Sequence, residues 1–227
     1  MKVNLYPGPY HWYLGRFYTR KYEEAAGLAK KFLKKSMIVL DVGCGDGRME
    51  ELLAPSVKKI IGVDNQKRPL EFAKLLVTKT NVEFRLSGKT LPVENGSMDA
   101  VMCFDVIEHI TLNSVSSFVK DIKRVLKKNG TFIVTTPNRK ELRGRFFGHR
   151  VDTKHYQEFT IKELQELLQK NGFEVKYTTG IYVPFPIPFA EHFANIYPCY
   201  WLFAGLVKLG KVFPNLAETM FITGMKK

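Results

Sequence analysis

The sequence predicts an α/β fold, a doubly wound, mostly parallel sheet of seven strands with helices on both faces. Short apolar runs that stop at a glycine or an acid alternate with segments whose apolar residues recur at helical spacing. These runs are apolar throughout, which is typical of strands covered on both faces. An apolar helical insertion is expected before the last strand, because an aromatic-rich stretch precedes it.

Strands and helices alternate in the order that a parallel sheet requires. The seven strands are predicted at residues 37–43, 59–64, 82–86, 99–104, 131–135, 173–178 and 219–225. Helices are predicted between them from a stripe of Met49, Leu52 and Leu53 that ends at Ala54-Pro55, and at 69–77, 115–126 and 161–170. Residues 128–130 are expected to end the third helix, and Thr160 with Glu163 has the spacing of a capping box that begins the fourth.

Composition bounds the class of protein. The chain has 227 residues, of which 45% are hydrophobic and 25% charged, so a disordered, collagen-like or multi-span membrane protein is excluded. Its 35 Lys and Arg against 22 Asp and Glu give a net charge of +13, which favours anionic partners such as nucleic acid, phospholipid head groups or acidic small molecules.

Cysteine usage and the chain's ends predict where the protein works. Cys44, Cys103 and Cys199 are too few and scattered for a disulfide framework or a zinc site, which favours a reducing cytoplasm. Residues 1–9 do not look like a secretory signal, so export is not expected. The uncharged stretch 192–207 is too short to span a membrane, but it could lie in the interface as a peripheral contact.

A glycine-rich motif lies between the first strand and its helix, with the sequence Asp-Val-Gly-Cys-Gly-Asp-Gly at 41–47. Glycines there let the backbone approach a ligand at the amino end of a helix. Asp64 ends the next strand 17 residues past Gly47, where an acid can accept hydrogen bonds from ribose hydroxyls. Arg48 stands where a dinucleotide fingerprint needs glycine, and nearby acids oppose a pyrophosphate, so NAD is disfavoured. The acids suit a cationic ligand such as S-adenosylmethionine.

Four segments resemble the class I S-adenosylmethionine-dependent methyltransferases. Residues 39–47 resemble the first motif of that family, 91–99 the loop before its fourth strand, 105–109 the acidic segment after that strand, and 126–130 its Leu-Lys-Pro-Gly-Gly turn. The resemblance covers roughly 36–180 plus the last strand and is greatest to the type 11 group, which includes quinone-biosynthesis enzymes. It implies a Rossmann-like fold and an enzyme (EC 2.1.1.-) that converts S-adenosyl-L-methionine to S-adenosyl-L-homocysteine.

The resemblance also implies a set of cofactor-binding residues. The methionine half of the cofactor would contact the glycine loop and the end of the fourth strand. The ribose would contact the end of the second strand, and the adenine would contact the end of the third. The residues are Asp41, Gly43, Cys44, Gly45, Asp64, Asn65, Ser87, Gly88 and Phe104. Ser87 stands where many relatives carry an acid that holds the adenine amine, and it could accept one such bond.

Three residues are candidates for catalysis, namely Asp105, His109 and His155. Methyl transfer is an in-line displacement that needs alignment and, where the nucleophile carries a proton, a base. The preferred interpretation of 105–109 is structural, with Asp105 capping a helix, Glu108 completing the box and His109 packed in the core. The alternatives are that His109 is a base, or that Asp105, Glu108 and His109 bind a divalent cation, although no metal ligand is assigned. His155 could reach over the pocket as a proton acceptor.

The predicted organisation has four parts, an aromatic and basic lid segment at 1–35, a cofactor-binding core at 36–180, a hydrophobic insertion at 181–216 and a final strand at 217–227. Residues 10–18 resemble the His-Trp-x-x-x-Gly-Arg start of type 11 relatives, which predicts either a lid over the cofactor or an aromatic staple for the first helix. Residues 181–214 could form a substrate lid, a membrane contact or a homodimer interface.

The expected function is methyl transfer to an oxygen, nitrogen or carbon atom of a small-molecule acceptor. The acceptor is expected to be apolar or lipid-like, and the substrate could be hydrophobic or anionic. One alternative is an RNA methyltransferase that uses the basic loop 139–150. Nucleic acid is not favoured, because no nucleic-acid module is appended and no base-flipping tetrapeptide follows the fourth strand. The other alternative is a non-catalytic partner protein that binds S-adenosylmethionine.

Overall fold

The computed structural model describes residues 8–13, 15–148, 152–185, 193, 195–197 and 199–227. One seven-stranded sheet has the strand order β3-β2-β1-β4-β5-β7-β6. Its strands are β1 Ile38–Val42, β2 Lys59–Asp64, β3 Val82–Leu86, β4 Met98–Phe104, β5 Leu126–Pro137, β6 Phe173–Ile181 and β7 Thr219–Lys226. The neighbours among β1 to β5 pair in parallel, and β7 runs antiparallel to both β5 and β6. The predicted mostly parallel sheet of seven strands is confirmed.

Seven α-helices connect or flank these strands within the described residues. They are α1 Arg16–Ala29, α2 Arg48–Leu53, α3 Lys67–Leu76, α4 Leu112–Val125, α5 Leu142–Phe147, α6 Ile161–Lys170 and α7 Cys199–Val212. The predicted capping box at the start of α6 is present, with Thr160 and Glu163 bonded reciprocally. Helix α5 was not predicted, because its basic sequence has no apolar period. It forms because the carboxylate of Glu141 accepts hydrogen bonds from the backbone of Arg143 and Gly144 at its start.

Apolar side chains cover both faces of the sheet. On one face, Leu40 and Val101 pack with α4 and α6, and on the other, Val39 and Ala100 pack with α1, α2 and α7. Alternate residues of a strand therefore enter different cores, which explains why the strands are apolar throughout. The parts predicted as additions at 1–35 and 181–216 meet each other, since the ring of Phe17 lies 5.5 Å from that of Phe203.

The predicted turn at 128–130 lies inside a strand. Strand β5 already begins at Leu126, which pairs with Met98, and its register shifts before the pairing resumes at Thr131. Asn129 has φ of 62°, and a Cβ on Gly130 would lie 2.9 Å from the carbonyl oxygen of Lys127. The turn signal therefore marks a bulge within β5.

One edge of the sheet gathers the ends that form the site. The carboxyl ends of the parallel strands lie there, and Ile181 at the end of β6 pairs with Thr219 at the start of β7. Ligands of open α/β sheets bind outside this edge. Among the described helices, none has the length and apolarity needed to cross a membrane. Cys44, Cys103 and Cys199 are free thiols.

Candidate active site

The glycine loop joins β1 to α2 in a conformation that needs glycine. Gly43, Gly45 and Gly47 have φ of 77°, 55° and 81°. A Cβ on Gly43 would lie 2.3 Å from Cγ2 of Val106, so a side chain there would collide with the segment after β4. The backbone N–H of Gly43 donates to the carbonyl of Val63 over 2.7 Å, which ties the loop to β2.

Asp64 fastens the loop to the end of β2. Its Oδ2 accepts from the N–H of Gly45 over 3.1 Å and its Oδ1 from the N–H of Gln66 over 2.8 Å. Burial raises the pKa of this carboxyl, although these backbone donors oppose the shift.

The next predicted residues line the same edge as Asp64. The N–H of Ser87 donates to the carbonyl of Asp64 over 2.7 Å, which brings the ends of β2 and β3 together. Asn65 and Gly88 are exposed beside them. The predicted group of Asp64, Asn65, Ser87 and Gly88 is thus brought to one place, next to the glycine loop.

A buried carboxyl pair lies beneath the glycine loop. Asp41 on β1 is 2% exposed, and Glu50 on α2 is fully buried. Burial raises the pKa of Asp41 to about 7 and that of Glu50 well above its usual range, and the charge of Asp41 raises the latter further. Within the described chain, neither oxygen of Glu50 has a hydrogen-bond partner, so the site favours the neutral form of this carboxyl.

Sequence reasoning missed Glu50. Glu50 lies on the buried side of α2 together with Met49 and Leu53, so the carboxyl of Glu50 faces the sheet. A Cβ on Gly62 of β2 would lie 2.7 Å from its Oε1, which shows how closely the acid approaches the strand. The sequence offered one signal for this residue, namely an acid next to the apolar residues of a short predicted helix.

The amino-terminal segment covers the glycine loop. His11 bonds to the carboxylate of Asp46 twice, through its Nδ1 over 2.9 Å and its backbone N–H over 2.8 Å. Trp12 donates through Nε1 to the carbonyl of Asp46 over 2.9 Å, and the guanidinium of Arg48 lies 5.1 Å from its ring. The segment also behaves as a staple, because Phe17 is buried in the core. Whether it opens and closes as a lid stays a prediction.

A cavity of about 150 Å³ opens between α1 and the carboxyl edge of the sheet. Its walls are mostly aromatic or aliphatic, with two charged groups facing inward. The lining residues are Tyr10, Tyr18, Lys21, Tyr22, Ala25, Met49, Phe104, Asp105, Thr135, Ile181 and Thr219. A cavity of this volume holds a ligand of about the size of benzene.

Asp105 faces this cavity with a strained backbone, since its φ is 51°. Thr135 holds Asp105 by two hydrogen bonds. The Thr135 hydroxyl donates to Oδ1 of Asp105 over 2.9 Å, and the Thr135 carbonyl accepts from the N–H of Asp105 over 3.1 Å. Burial raises the pKa of Asp105, while Thr135 and the charge of Lys21 act against the rise.

Lys21 supplies the cation of the cavity and pairs with Glu218. Burial lowers the pKa of Lys21, but the charge and hydrogen bond of Glu218 outweigh burial and leave it raised. Its Nζ also lies 5.2 Å from the ring centre of Tyr182. The ammonium is therefore fixed and charged.

The capping interpretation of 105–109 is wrong. Only a 3-10 turn from Ile107 to His109 follows, and Val106, which precedes it, makes no side-chain cap. Glu108 is buried and accepts from Oγ1 of Thr136 over 2.9 Å instead of completing a box. The left-handed backbone of Asp105 accompanies a carboxyl that lines the cavity and does not cap a helix.

His109 and His155 pack against each other, with ring centres 4.9 Å apart. Nδ1 of His109 lies 3.1 Å from the carbonyl of Lys154, and Nδ1 of His155 lies 2.7 Å from Oε1 of Glu158. Burial lowers the pKa of His109. Neither ring lines the cavity, whereas Asp105 does, and a catalytic role for any of the three residues stays a prediction.

The structure assembles a different metal-ligand group from the one predicted. Ligand atoms of Glu108, His109 and His155 lie within 4.8 Å of one another. In the described chain Asp105 does not join that group, so the trio of Asp105, Glu108 and His109 is not formed.

Comparison with known proteins identifies the family. The family model described as "Methyltransferase domain" matches residues 10–178, which is most of the chain. The chain belongs to this methyltransferase family. A probable S-adenosylmethionine-dependent methyltransferase of Mycolicibacterium smegmatis is 33% identical over 148 residues, covering 63% of this chain and 54% of that protein. The ubiquinone biosynthesis O-methyltransferase of Pelagibacter ubique is 24% identical, covering 65% of each. The chain thus spans about half to two thirds of these relatives.

Solved structures agree with the fold. A SAM-dependent methyltransferase from Thermotoga maritima has a TM-score of 0.66 and 22% identity, covering 93% of this chain and 94% of that one. Another from Aquifex aeolicus has a TM-score of 0.62 and 18% identity, covering 91% and 92%. The predicted class I family, its Rossmann-like fold and S-adenosylmethionine as its cofactor are therefore confirmed.

The residues around the glycine loop fit this cofactor chemically. S-adenosylmethionine carries an ammonium and a sulfonium, and Asp41, Asp46, Glu50 and Asp64 place carboxyls around or beneath the loop. The collision that a Cβ on Gly43 would cause marks a backbone with no room for a side chain. A pyrophosphate would meet these carboxylates with like charge, so the expectation against NAD agrees with the geometry.

Proposed function

We propose that this chain transfers the methyl group of S-adenosylmethionine to a small apolar or aromatic acceptor that enters the cavity between α1 and the sheet edge. The aromatic cavity, open beside the cofactor loop and holding one carboxyl on a strained turn, carries the proposal. When bound, the cofactor supplies an electrophilic methyl group. The chain's task is then alignment and removal of a proton.

The cofactor-binding roles follow the geometry of the loop and the strand ends. The backbone of Gly43, Cys44 and Gly45 would hold the methionine half above the Asp41 carboxyl. Asp64 and Asn65 would bind the ribose, with Ser87 and Gly88 beside the adenine. Phe104 ends β4 and lines the cavity, so it would lie between cofactor and acceptor.

Charges inside the cavity narrow the acceptor class. Lys21 is balanced by Glu218, which leaves the carboxyl of Asp105 in excess. The surplus positive charge of the chain therefore does not extend into the cavity, which argues against an anionic reacting group there. A hydroxyl or amine that donates a hydrogen bond to Asp105 fits best, carried on an apolar body that packs on Tyr18 and Tyr22.

Asp105 would act as the proton acceptor. The acceptor's oxygen or nitrogen attacks the methyl carbon, the carbon–sulfur bond breaks with its electrons remaining on sulfur, and the acceptor's proton passes to Asp105. A carboxyl whose pKa is raised by burial is a stronger base once ionised than an exposed one. Thr135 would keep the other lone pairs of Asp105 aimed into the cavity.

Relatives support this acceptor class by name. Ubiquinone biosynthesis O-methyltransferases recur among the similar proteins, including those of Pelagibacter ubique at 24% identity and Acinetobacter baumannii at 32% identity over 123 residues. Those names describe oxygen methylation in the formation of a ring with an apolar tail. A ring in the cavity with its tail outside fits the volume of about 150 Å³.

Fractionation of a cell extract tests the proposal. The purified chain is incubated with extract and S-adenosylmethionine labelled in its methyl group, and lipid, small-molecule, RNA and protein fractions are analysed by mass spectrometry. Label in the lipid or small-molecule fraction, lost with Asp105→Asn, is the expected result. Label in RNA would support the RNA alternative, and cofactor binding without label anywhere would support a non-catalytic partner protein.

A further inference from the structure

We infer that the carboxyl-edge face of this protein docks on an anionic phospholipid surface. Among the described residues, thirteen of the seventeen large exposed apolar side chains lie in 10–18, 146–147 and 193–213. The described parts of these segments lie near the carboxyl edge of the sheet, since His11 bonds to Asp46 of the glycine loop, α5 follows the carboxyl end of β5, and Val183, just past β6, donates to the carbonyl of Leu206 over 3.0 Å. Scattered exposed apolar side chains are ordinary, but a concentration of this kind marks an interaction surface.

The centre of this face is formed by α7 and α5, and we call its exposed side chains the apolar rim, namely Phe146, Phe147, Trp201, Leu202, Val212 and Phe213. The two helices meet at the turn after α7, where Nη2 of Arg145 donates to the carbonyl of Asn215 over 3.0 Å. The rim is therefore one surface built from two separate stretches of sequence.

Helix α7 is apolar on both sides, unlike a surface helix of an isolated domain. Phe203, Val207 and Gly210 are buried against the core. Trp201 on the opposite side is 66% exposed and Val212 is 65% exposed. The helix cannot turn to hide them, because a Cβ on Gly210 would lie 2.6 Å from the backbone nitrogen of Tyr182, which shows that its inner side is seated on β6.

The exposed charges on α5, α7 and the turns beside them are positive. Lys140, Arg145 and Lys208 are exposed, whereas the nearby acid Glu141 is buried and caps α5. Aromatic side chains interleaved with Lys and Arg are the composition of protein segments that lie in a membrane interface.

Charge complementarity selects the lipid over a second copy of the chain. Two copies meeting through the rim would bring their cations together, within a chain of net charge +13. Anionic head groups would neutralise the same cations, while Trp201 and the rim phenylalanines enter the boundary of the acyl chains. Tyr10 and Tyr18 beside the rim also line the cavity, so on the proposed function the apolar acceptor would enter from the bilayer.

Vesicle flotation of the full chain tests the inference without any need for turnover. Vesicles of phosphatidylcholine with phosphatidylglycerol are compared with vesicles of phosphatidylcholine alone. We expect flotation with the anionic vesicles only, weakened by salt. Trp201→Ser combined with Phe213→Ser should reduce vesicle affinity at least about tenfold, as should Lys140→Glu combined with Lys208→Glu.

The control is Leu75→Ser, which removes a side chain that is 79% exposed from the last turn of α3, the end of that helix away from the carboxyl edge, and should float like the wild type. S-adenosylmethionine binding by every variant shows that it is folded. The inference is overturned if the wild type does not float, if the rim variant floats equally well, or if the rim variant instead converts a dimer to a monomer. Flotation without methylation of any lipid or small molecule would leave docking intact and remove the proposed function.

Discussion

Replacing Asp41 with Asn should remove the pH dependence of cofactor binding near neutrality. In the wild type the buried carboxyls of Asp41 and Glu50 lie together, and the pKa of Asp41 is raised to about 7. Below that pH the pair tends to be neutral, and above it the pair carries a negative charge beneath the glycine loop. Since S-adenosylmethionine is cationic there, wild-type affinity should rise with pH, roughly tenfold between pH 6 and pH 8, as for one group that titrates near 7.

The asparagine in Asp41→Asn cannot lose a proton, so its cofactor affinity should be nearly the same at every pH from 6 to 8 and at least about tenfold weaker than wild type at pH 8. Glu50→Gln is the control. It leaves Asp41 buried, and burial is the first cause of the raised pKa of Asp41, so the pH dependence should persist.

Titration calorimetry at several pH values, in buffers of different ionisation enthalpy, measures the affinity and the protons released. The wild type should release up to one proton on binding at pH 6, and Asp41→Asn should release almost none. A wild-type affinity that is constant from pH 6 to pH 8 with no proton release would refute the reasoning. The stability of the cofactor-free fold should change with pH in the opposite direction to the cofactor affinity. A buried carboxyl whose pKa is raised destabilises the fold when it ionises, so the free energy of unfolding should fall as pH rises toward 7. Thermal melts at each pH measure this loss.

Four other substitutions test the site. Asp105→Asn should reduce kcat by roughly 100-fold to 10,000-fold, because the proposed base is lost without a change in side-chain shape. Its cofactor affinity, measured by calorimetry, should be retained. Unchanged turnover would show that Asp105 is not the base. His109→Ala and His155→Ala should each change kcat by less than about threefold, because neither ring lines the cavity, and a large loss in a steady-state assay would restore a catalytic histidine. Gly43→Ala should abolish cofactor binding through the collision with Val106, whereas Gly27→Ala, with open space around its Cβ position, should bind normally in the same titration.

The sheet and the cofactor edge could be predicted from sequence because their signals are local. Glycine spacing at 43–47 and an acid at the end of β2 were enough to bring Asp64 to the loop, since the ends of neighbouring parallel strands meet at one edge. Apolar runs likewise located every strand, with β5 and β6 extending beyond the predicted ranges.

The reacting end could not be predicted because its contacts depend on tertiary geometry. The sequence of 105–109 suggested a capping box or a shared cation site, but the left-handed backbone of Asp105 and the short 3-10 turn after it form neither with Asp105. The contact of His109 with His155 joins positions far apart in sequence, and the partner of Glu50 depends on how a six-residue helix is seated. Nothing in a single sequence reports such orientations.

The most direct measurement of the central claim is the stoichiometry of methyl transfer by the purified chain. The chain is incubated with methyl-labelled S-adenosylmethionine and the lipid or small-molecule fraction that gains label from extract, and product and S-adenosylhomocysteine are both quantified by mass spectrometry. The account predicts one intact labelled methyl group in an apolar acceptor for each S-adenosylhomocysteine formed, with both lost in Asp105→Asn. Equal yields from wild type and Asp105→Asn, or labelled RNA in place of the apolar product, would contradict it.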